Sequence, residues 1–430
     1  MIKNLISMFK HKDIRKKILF TVAMLFIFRL GAGIPLPGVD TEALLAGVTD
    51  NSIIGMMNLL GGGALERFSI FALGVGPYIT SSIIIQLLAM DVIPALTEMS
   101  KNGQQGRQQM DKITRYLAVV LAFLQAYTMT YAFHVNYGIL SNPTVSTYLF
   151  MATVLTAGTS FLVWLGDRIT QFGIGNGISI LIFAGIVADL PFSFANAFKT
   201  LVDTTSGGSA AFSGVVSFAI LLLMYIAIIV AIIFMNEATR KIPIQYTSSS
   251  IRNQGKAINY LPLKINSASV IPVIFASAVM VAPVTVMSFF EANEVTVKIS
   301  NILNYQKPLG LCIYVVLVIL FTFFYTNLQV DPKQIADNLN KQGTYIPGIR
   351  PGSETVTYVS KVLNRITVLG ALWLAVIAAL PYVLPMVTNI PSSISMGGTG
   401  IIIVVGVALE TVKDLESQLT QKTYRGFVRK

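Results

Sequence analysis

The sequence predicts an all-α integral membrane protein with ten transmembrane helices, and three observations carry that prediction. Of its 430 residues, 54% are hydrophobic and only 12% charged, where a soluble domain usually carries about 25% charged residues. Mean hydropathy is +0.69, and the apolar runs are about 20 residues long, enough to cross a bilayer as helices. The basic residues also crowd into alternate loops: 26 of the 31 Lys and Arg fall on one side of a ten-span topology.

The expected spans are 18–36, 74–93, 116–135, 147–166, 175–192, 212–235, 267–290, 309–330, 366–386 and 394–412, of which the fifth is the shortest. Six basic residues precede the first span, and the tail after the last carries five more. Basic loops mark the cytoplasmic side, so both termini are expected there. The net charge of +11 then follows from topology and does not require nucleic acid. The start of the chain does not read as a cleavable signal, because its apolar run holds Arg29 and ends in Ile34-Pro35-Leu36-Pro37-Gly38 without a small-residue cleavage site.

The second span organises the rest. Gly62-Gly63-Ala64-Leu65-Glu66-Arg67-Phe68-Ser69 reads as part of a short half-helix over Gly61–Leu73 that carries an opposed charge pair. Leu73-Gly74-Val75-Gly76-Pro77 then breaks the chain before a spanning helix starts. A broken helix in lipid survives only where protein or a water-filled cavity surrounds it, which predicts an internal cavity with a short element folded into it.

Two loops on the basic side are longer than topology needs. In 236–266, Lys241-Ile242-Pro243-Ile244-Gln245-Tyr246 alternates with period two and Ala257 to Leu263 follows, which predicts a hairpin whose tip carries Arg252 and Lys256. In 331–365, Asp331-Pro332 predicts a helix start. That helix runs to about Lys341 and breaks at Gly343, and a new one begins near Ser353. Between them, Pro347-Gly348-Ile349-Arg350-Pro351-Gly352 places Arg350 on a stiff outward turn.

The spans are poor in the groups that chemistry needs. Arg29 is the only ionisable residue deep in one, whereas ion-coupled transporters usually carry Asp, Glu or His near the midplane. Gly173-Ile174-Gly175-Asn176-Gly177 lacks the Lys-Ser/Thr of a phosphate-binding loop. Two histidines and one cysteine, Cys312, make neither a metal site nor a disulfide framework. No catalytic set, metal or cofactor is expected. A small-solute secondary transporter is the alternative reading, and an intramembrane enzyme is a distant third.

Several motifs resemble the SecY protein-conducting channel family. They are Gly62-Gly63-Ala64-Leu65 with Ser69 to Gly74, Pro77-Tyr78-Ile79, Ile83 to Leu88, Gly173 to Ser179, Ile271-Pro272 with Ile274 to Ser277, Ala336-Asp337-Asn338-Leu339, and Pro347 to Gly352. The resemblance implies two inverted five-helix halves (1–192 and 212–412) around an hourglass pore, joined by an external linker (193–211) and followed by a cytoplasmic tail (413–430). It implies a plug at Gly61–Leu73 and an aliphatic pore ring of Val75, Ile79, Ile178, Ile182, Ile274 and Ile403, with Ile174 as a substitute in span five. The lateral gate would lie between spans two and seven, with Thr80, Gln86, Ile274 and Ala278 along it. Arg350, helped by Arg252 and Lys256, would dock the motor ATPase SecA or the ribosome. SecE and SecG would be partner subunits, signal-bearing preproteins and nascent membrane proteins the substrates, and the bacterial plasma membrane the site.

Overall fold

A computed structural model describes residues 11–40, 63–65, 67–90, 92–140, 142–202, 208–246, 259–287, 294–304, 307–387 and 392–427. A helix lies over each of the ten expected spans. In chain order the membrane helices are α1 (Lys12–Ala32), α2 (Gly76–Leu88), α4 (Gly103–Tyr137), α5 (Val145–Phe172), α6 (Gly177–Leu201), α7 (Gly208–Glu237), α8 (Ile271–Met287), α10 (Pro308–Gln329), α12 (Ser353–Val387) and α13 (Ser392–Phe427). Three shorter helices lie between them: α3 (Pro94–Lys101), α9 (Glu294–Ile302) and α11 (Pro332–Lys341). Among the described residues six helices are long and apolar enough by themselves to cross a membrane, while α2 and α8 contribute shorter apolar stretches.

Local chemistry explains many of the boundaries. Proline sits in the first turn of α2, α3, α10 and α11, where its missing N–H costs nothing. Asn176 caps α6 by accepting from the Ile178 and Ser179 N–H groups, and Thr144 caps α5 by accepting from the Thr147 N–H. The long α4 stops at Gly138, whose φ of +65° is open to glycine at little cost.

Two helices run further than the sequence suggests. The fifth span, expected to end at 192, passes through Pro191 to Leu201, so half of the expected linker 193–211 is helix. Proline removes one backbone bond, and the helix continues across it, with Ser193 Oγ donating to Asp189 Oδ2 at 3.2 Å beside it. Likewise α13 continues to Phe427, through most of the expected tail 413–430.

The hairpin expected in 236–266 is present. Strand β1 (Thr239–Tyr246) pairs antiparallel with β2 (Asn259–Lys264), Ile242 opposite Leu261, and β3 (Thr344–Tyr345) pairs with the far end of β1 to give the order β2-β1-β3. Ile242 and Leu263 from the sheet, Ile346 from the loop and Val359, Leu363 and Ile366 from α12 form one buried cluster. The period-two pattern therefore has a purpose: it turns one face of the hairpin onto α12.

Helices from the two ends of the chain meet in two places. Both α2 and α4 pack on α8, and α6 packs on α7 and α13. Large side chains such as Leu223, Phe212 and Phe234 on α7 point outwards, as helices facing lipid require.

Candidate functional site

The central feature is a large apolar cluster. Val75 precedes α2 and Ile79 lies in its first turns, Ile182 is on α6, Ile274 on α8 and Ile403 on α13, and all five are buried in one cluster. Ile178 is partly buried against the same cluster. The six expected ring residues, from four helices, thus lie in or against one large apolar cluster, which also holds Leu221, Tyr314 and Leu374. Ile174 is elsewhere: it packs with Ile14 and Leu415, and its N–H donates to Thr21 Oγ1 at 3.2 Å. It precedes the start of α6 at Gly177, so it does not extend the Ile178–Ile182 stripe, and it is not a substitute for either. Ile83 and Ile186 join the cluster as well, at the i+4 spacing from Ile79 and Ile182 that continues each helical stripe.

The segment before α2 departs from expectation. Its described residues, 63–65 and 67–75, form successive turns where a half-helix is expected. Gly63 has φ +76°, Phe68 φ +40° and Gly74 φ +56°, three left-handed positions that repeatedly interrupt a right-handed helix. Tertiary bonds take the place of helical ones. Ser69 bridges Pro35, the Leu36 N–H donates to the Phe68 carbonyl at 3.1 Å, and the Ile70 N–H donates to the Ile34 carbonyl at 3.2 Å. Ala64, Leu65, Phe68 and Ser69 are fully buried, while Arg67 is exposed; Gly62 and Glu66 lie outside the described residues.

At the α2–α8 contact, the two expected polar residues turn inwards on their own helix. Thr80 Oγ1 donates to the Gly76 carbonyl at 3.2 Å, and Gln86 Nε2 donates to Ser82 Oγ at 3.0 Å. Gln86 Oε1 is buried without a hydrogen-bond partner. Ile274 is buried and Ala278 partly buried on the facing helix, so apolar packing is what closes this seam.

On the sheet-bearing face, Asp331 Oδ1 accepts from the Lys333 N–H at 2.8 Å and starts α11. Arg350 is exposed between Gly348 (φ +83°) and Gly352 (φ +105°), and its carbonyl accepts from Thr355 Oγ1 at 2.9 Å. Arg252 and Lys256 lie outside the described residues. A polar clip on the same face escaped sequence reasoning. The Gly175 N–H donates to Asp414 Oδ2 at 3.1 Å, Lys17 Nζ donates to Gln418 Oε1 at 2.8 Å, and Lys413 pairs with Glu237 at 2.8 Å. These partners lie far apart in the sequence, and no local pattern signals them. Among the described residues no group of three or more His, Cys, Asp or Glu gathers into a metal site.

Comparison with known proteins agrees with this geometry. The SecY family model matches residues 69–412. The chain is 49% identical to the protein translocase subunit SecY of Bacillus licheniformis over the full length of both. It is 48% identical to the protein of the same name from Staphylococcus aureus, covering 99% of each. Among solved structures it is similar to a protein conducting channel (TM-score 0.68, 17% identity, 97% of this chain and 95% of that one). It is also similar to Sec61 in the canine ribosome-channel complex (TM-score 0.66, 16% identity, the same coverage).

Proposed function

Since the chain belongs to the SecY family, we propose that it is the passive pore of a protein translocase, carrying unfolded polypeptides across a membrane and releasing apolar segments sideways into lipid. One observation supports the reading: aliphatic side chains from four helices are buried in a single apolar cluster that also takes in Ala64 and Phe71 of the turn segment. A translocating chain presents every kind of side chain. Fixed charges or hydrogen-bonding groups in the throat would hold some segments and stall them. Branched aliphatic side chains offer weak, non-directional contact and exclude water and ions around the passing chain.

In this reading the segment around Ala64–Ser69 is the plug, and Val75, Ile79, Ile178, Ile182, Ile274 and Ile403 form the ring. The contact of α2 and α4 with α8 is the lateral gate, lined by Thr80, Gln86, Ile274 and Ala278, and α6 with α7 forms the opposite hinge between two inverted halves. An apolar segment leaving through the gate gains roughly 0.3–0.6 kcal/mol per favourable residue, enough over a full span to partition without a reaction. Polar segments gain nothing comparable, so their direction must come from a partner that uses nucleotide energy. We assign that partner to the face carrying Arg350, Arg252 and Lys256, as a SecA-type motor or the ribosome, the canine relative being a ribosome-channel complex. SecE- and SecG-type subunits complete the assembly. The concentration of basic residues in alternate loops supports both termini lying on the cytoplasmic side, and we take the membrane to be the plasma membrane.

The test is transport itself. Vesicles holding the protein with its partner subunits, motor, ATP and a precursor are expected to import the precursor. Uptake of a small solute with no precursor import would favour a secondary transporter and overturn the reading.

A further inference from the structure

Two glycines inside membrane helices, Gly31 on α1 and Gly158 on α5, have no role in the ring, the gate or the docking face. Both sit where a side chain cannot fit. A Cβ built on Gly31 would overlap the Phe71 ring at Cε2, with Cζ at 2.6 Å. A Cβ on Gly158 would overlap the Ile70 carbonyl oxygen, with the carbonyl carbon at 3.0 Å. The two notches therefore receive consecutive residues of the turn segment, one a side chain and the other a backbone carbonyl. Close backbone approach of this kind in a membrane is what small residues permit.

The rest of the seat is built to match. Phe71 is stacked between Phe28 of α1, with ring centroids 6.2 Å apart, and Phe161 of α5, 5.9 Å away. Phe68 meets Phe133 of α4 at 6.0 Å. The backbone bonds to Ile34 and Leu36 hold the segment on its other side. From Phe71 the path to the waist is short: the Gly74 N–H donates to the Phe71 carbonyl at 2.8 Å, and the Ile79 N–H donates to the Val75 carbonyl at 3.1 Å, where α2 begins.

We propose that Gly31 and Gly158 are positioning residues for the seal: their notches fix the Ile70–Phe71 turn, and that turn sets where Val75 and Ile79 enter the waist. The inference deepens the channel reading and rests on it. Moving the turn outward by the width of a methyl group displaces the start of α2 and opens the ring without altering any ring side chain.

Single-channel or vesicle conductance of the resting complex tests this, normalised to folded channel extracted from the membrane. Gly31→Ala and Gly158→Ala are each expected to raise resting ion leak about tenfold, because overpacking at a tight contact forces the backbone to shift. Phe71→Leu removes Cε2 and Cζ, the two nearest of the three ring atoms that Gly31→Ala would meet, at the cost of the stack, so the double variant is expected to fall back from about tenfold to the roughly twofold-to-threefold leak of a loosened stack. It is not expected to rescue Gly158→Ala, whose clash is with a backbone oxygen. Leaks equal to the parent, or rescue of both or of neither by Phe71→Leu, would overturn the proposal. If the glycine variants do not accumulate, Phe161→Leu, which removes one wall of the stack and adds no atom, is expected to raise leak about twofold to threefold; an unchanged leak there overturns it too. Precursor import by the parent in the same vesicles separates the two readings. Absent import defeats the channel, whereas normal import with unaltered leak in every variant defeats only the seat.

Discussion

At the proposed waist, Val75, Ile79, Ile182, Ile274 and Ile403 come from both halves of the chain and are buried in one apolar cluster. On the sheet-bearing face, Asp331 caps the helix it begins, Gly348 and Gly352 turn the chain around Arg350, and Ile242 faces Leu261 across a hairpin. The first region is held by shape and depends on every helix being in place. The second takes its caps and turns from bonds between near neighbours, and is joined by the pairing of β3 with β1 and by one small apolar cluster. A throat made of non-directional contacts can part and reseal around a foreign chain, whereas a docking face must present the same charge in the same place each time.

That contrast can be broken, and the largest effect is expected at the waist. Ile274→Asn or Ile403→Asn buries a polar amide at the cost of aliphatic packing, a penalty of about 3 kcal/mol in the closed state. Resting conductance should rise by at least about tenfold while the protein stays in the membrane, and a tight channel would remove these residues from the ring. Next, Arg350→Glu should lower motor-driven precursor import by about tenfold or more through like-for-unlike charge at the partner. Conductance at rest should be unchanged, and normal import would clear Arg350 of the role.

Smaller effects test whether the face is locally built. Asp331→Ala removes the cap of α11 and should cost about 1 kcal/mol, read as faster hydrogen exchange confined to 332–341 with the waist still sealed. Spread of that exchange into α2 or α8 would show the two regions to be coupled. Smallest of all, Lys413→Ala breaks a half-exposed pair with Glu237 (2.8 Å) and should cost about 0.5 kcal/mol, seen as a minor fall in thermal stability. A loss several times larger would mean that the clip around Asp414 holds the two ends of the chain together.

Much of this was legible in advance, for reasons that differ by region. The hairpin, the Asp331 cap, the break at Gly74 to Pro77 and the restart at Ser353 depend on residues within a few positions of one another, so a local pattern reports them. The six ring residues were named through resemblance, since isoleucine spacing alone does not separate a waist from a lipid-facing stripe. Two readings needed correction. The expected half-helix over Gly61–Leu73 is a series of turns in its described part, because bonds to Ile34, Pro35 and Leu36 replaced helical bonds. The fifth span, expected to end at 192, runs on through Pro191 to Leu201, since one missing backbone bond does not by itself stop a helix.

By itself, the sequence determined that this protein lives in a membrane, how many times an apolar helix recurs, which loops are basic and where helices start. Length, hydropathy, charge and capping chemistry are properties of short stretches, and water and lipid sort them before any distant contact forms. Only the tertiary structure decided that Ile178 packs against the central apolar cluster while Ile174 packs with Ile14 and Leu415, that Asp414 clips Gly175, and that Gly31 and Gly158 are notches for a turn on another segment. Each of these depends on which surfaces of distant helices come within contact distance, a choice made by close packing of the whole bundle.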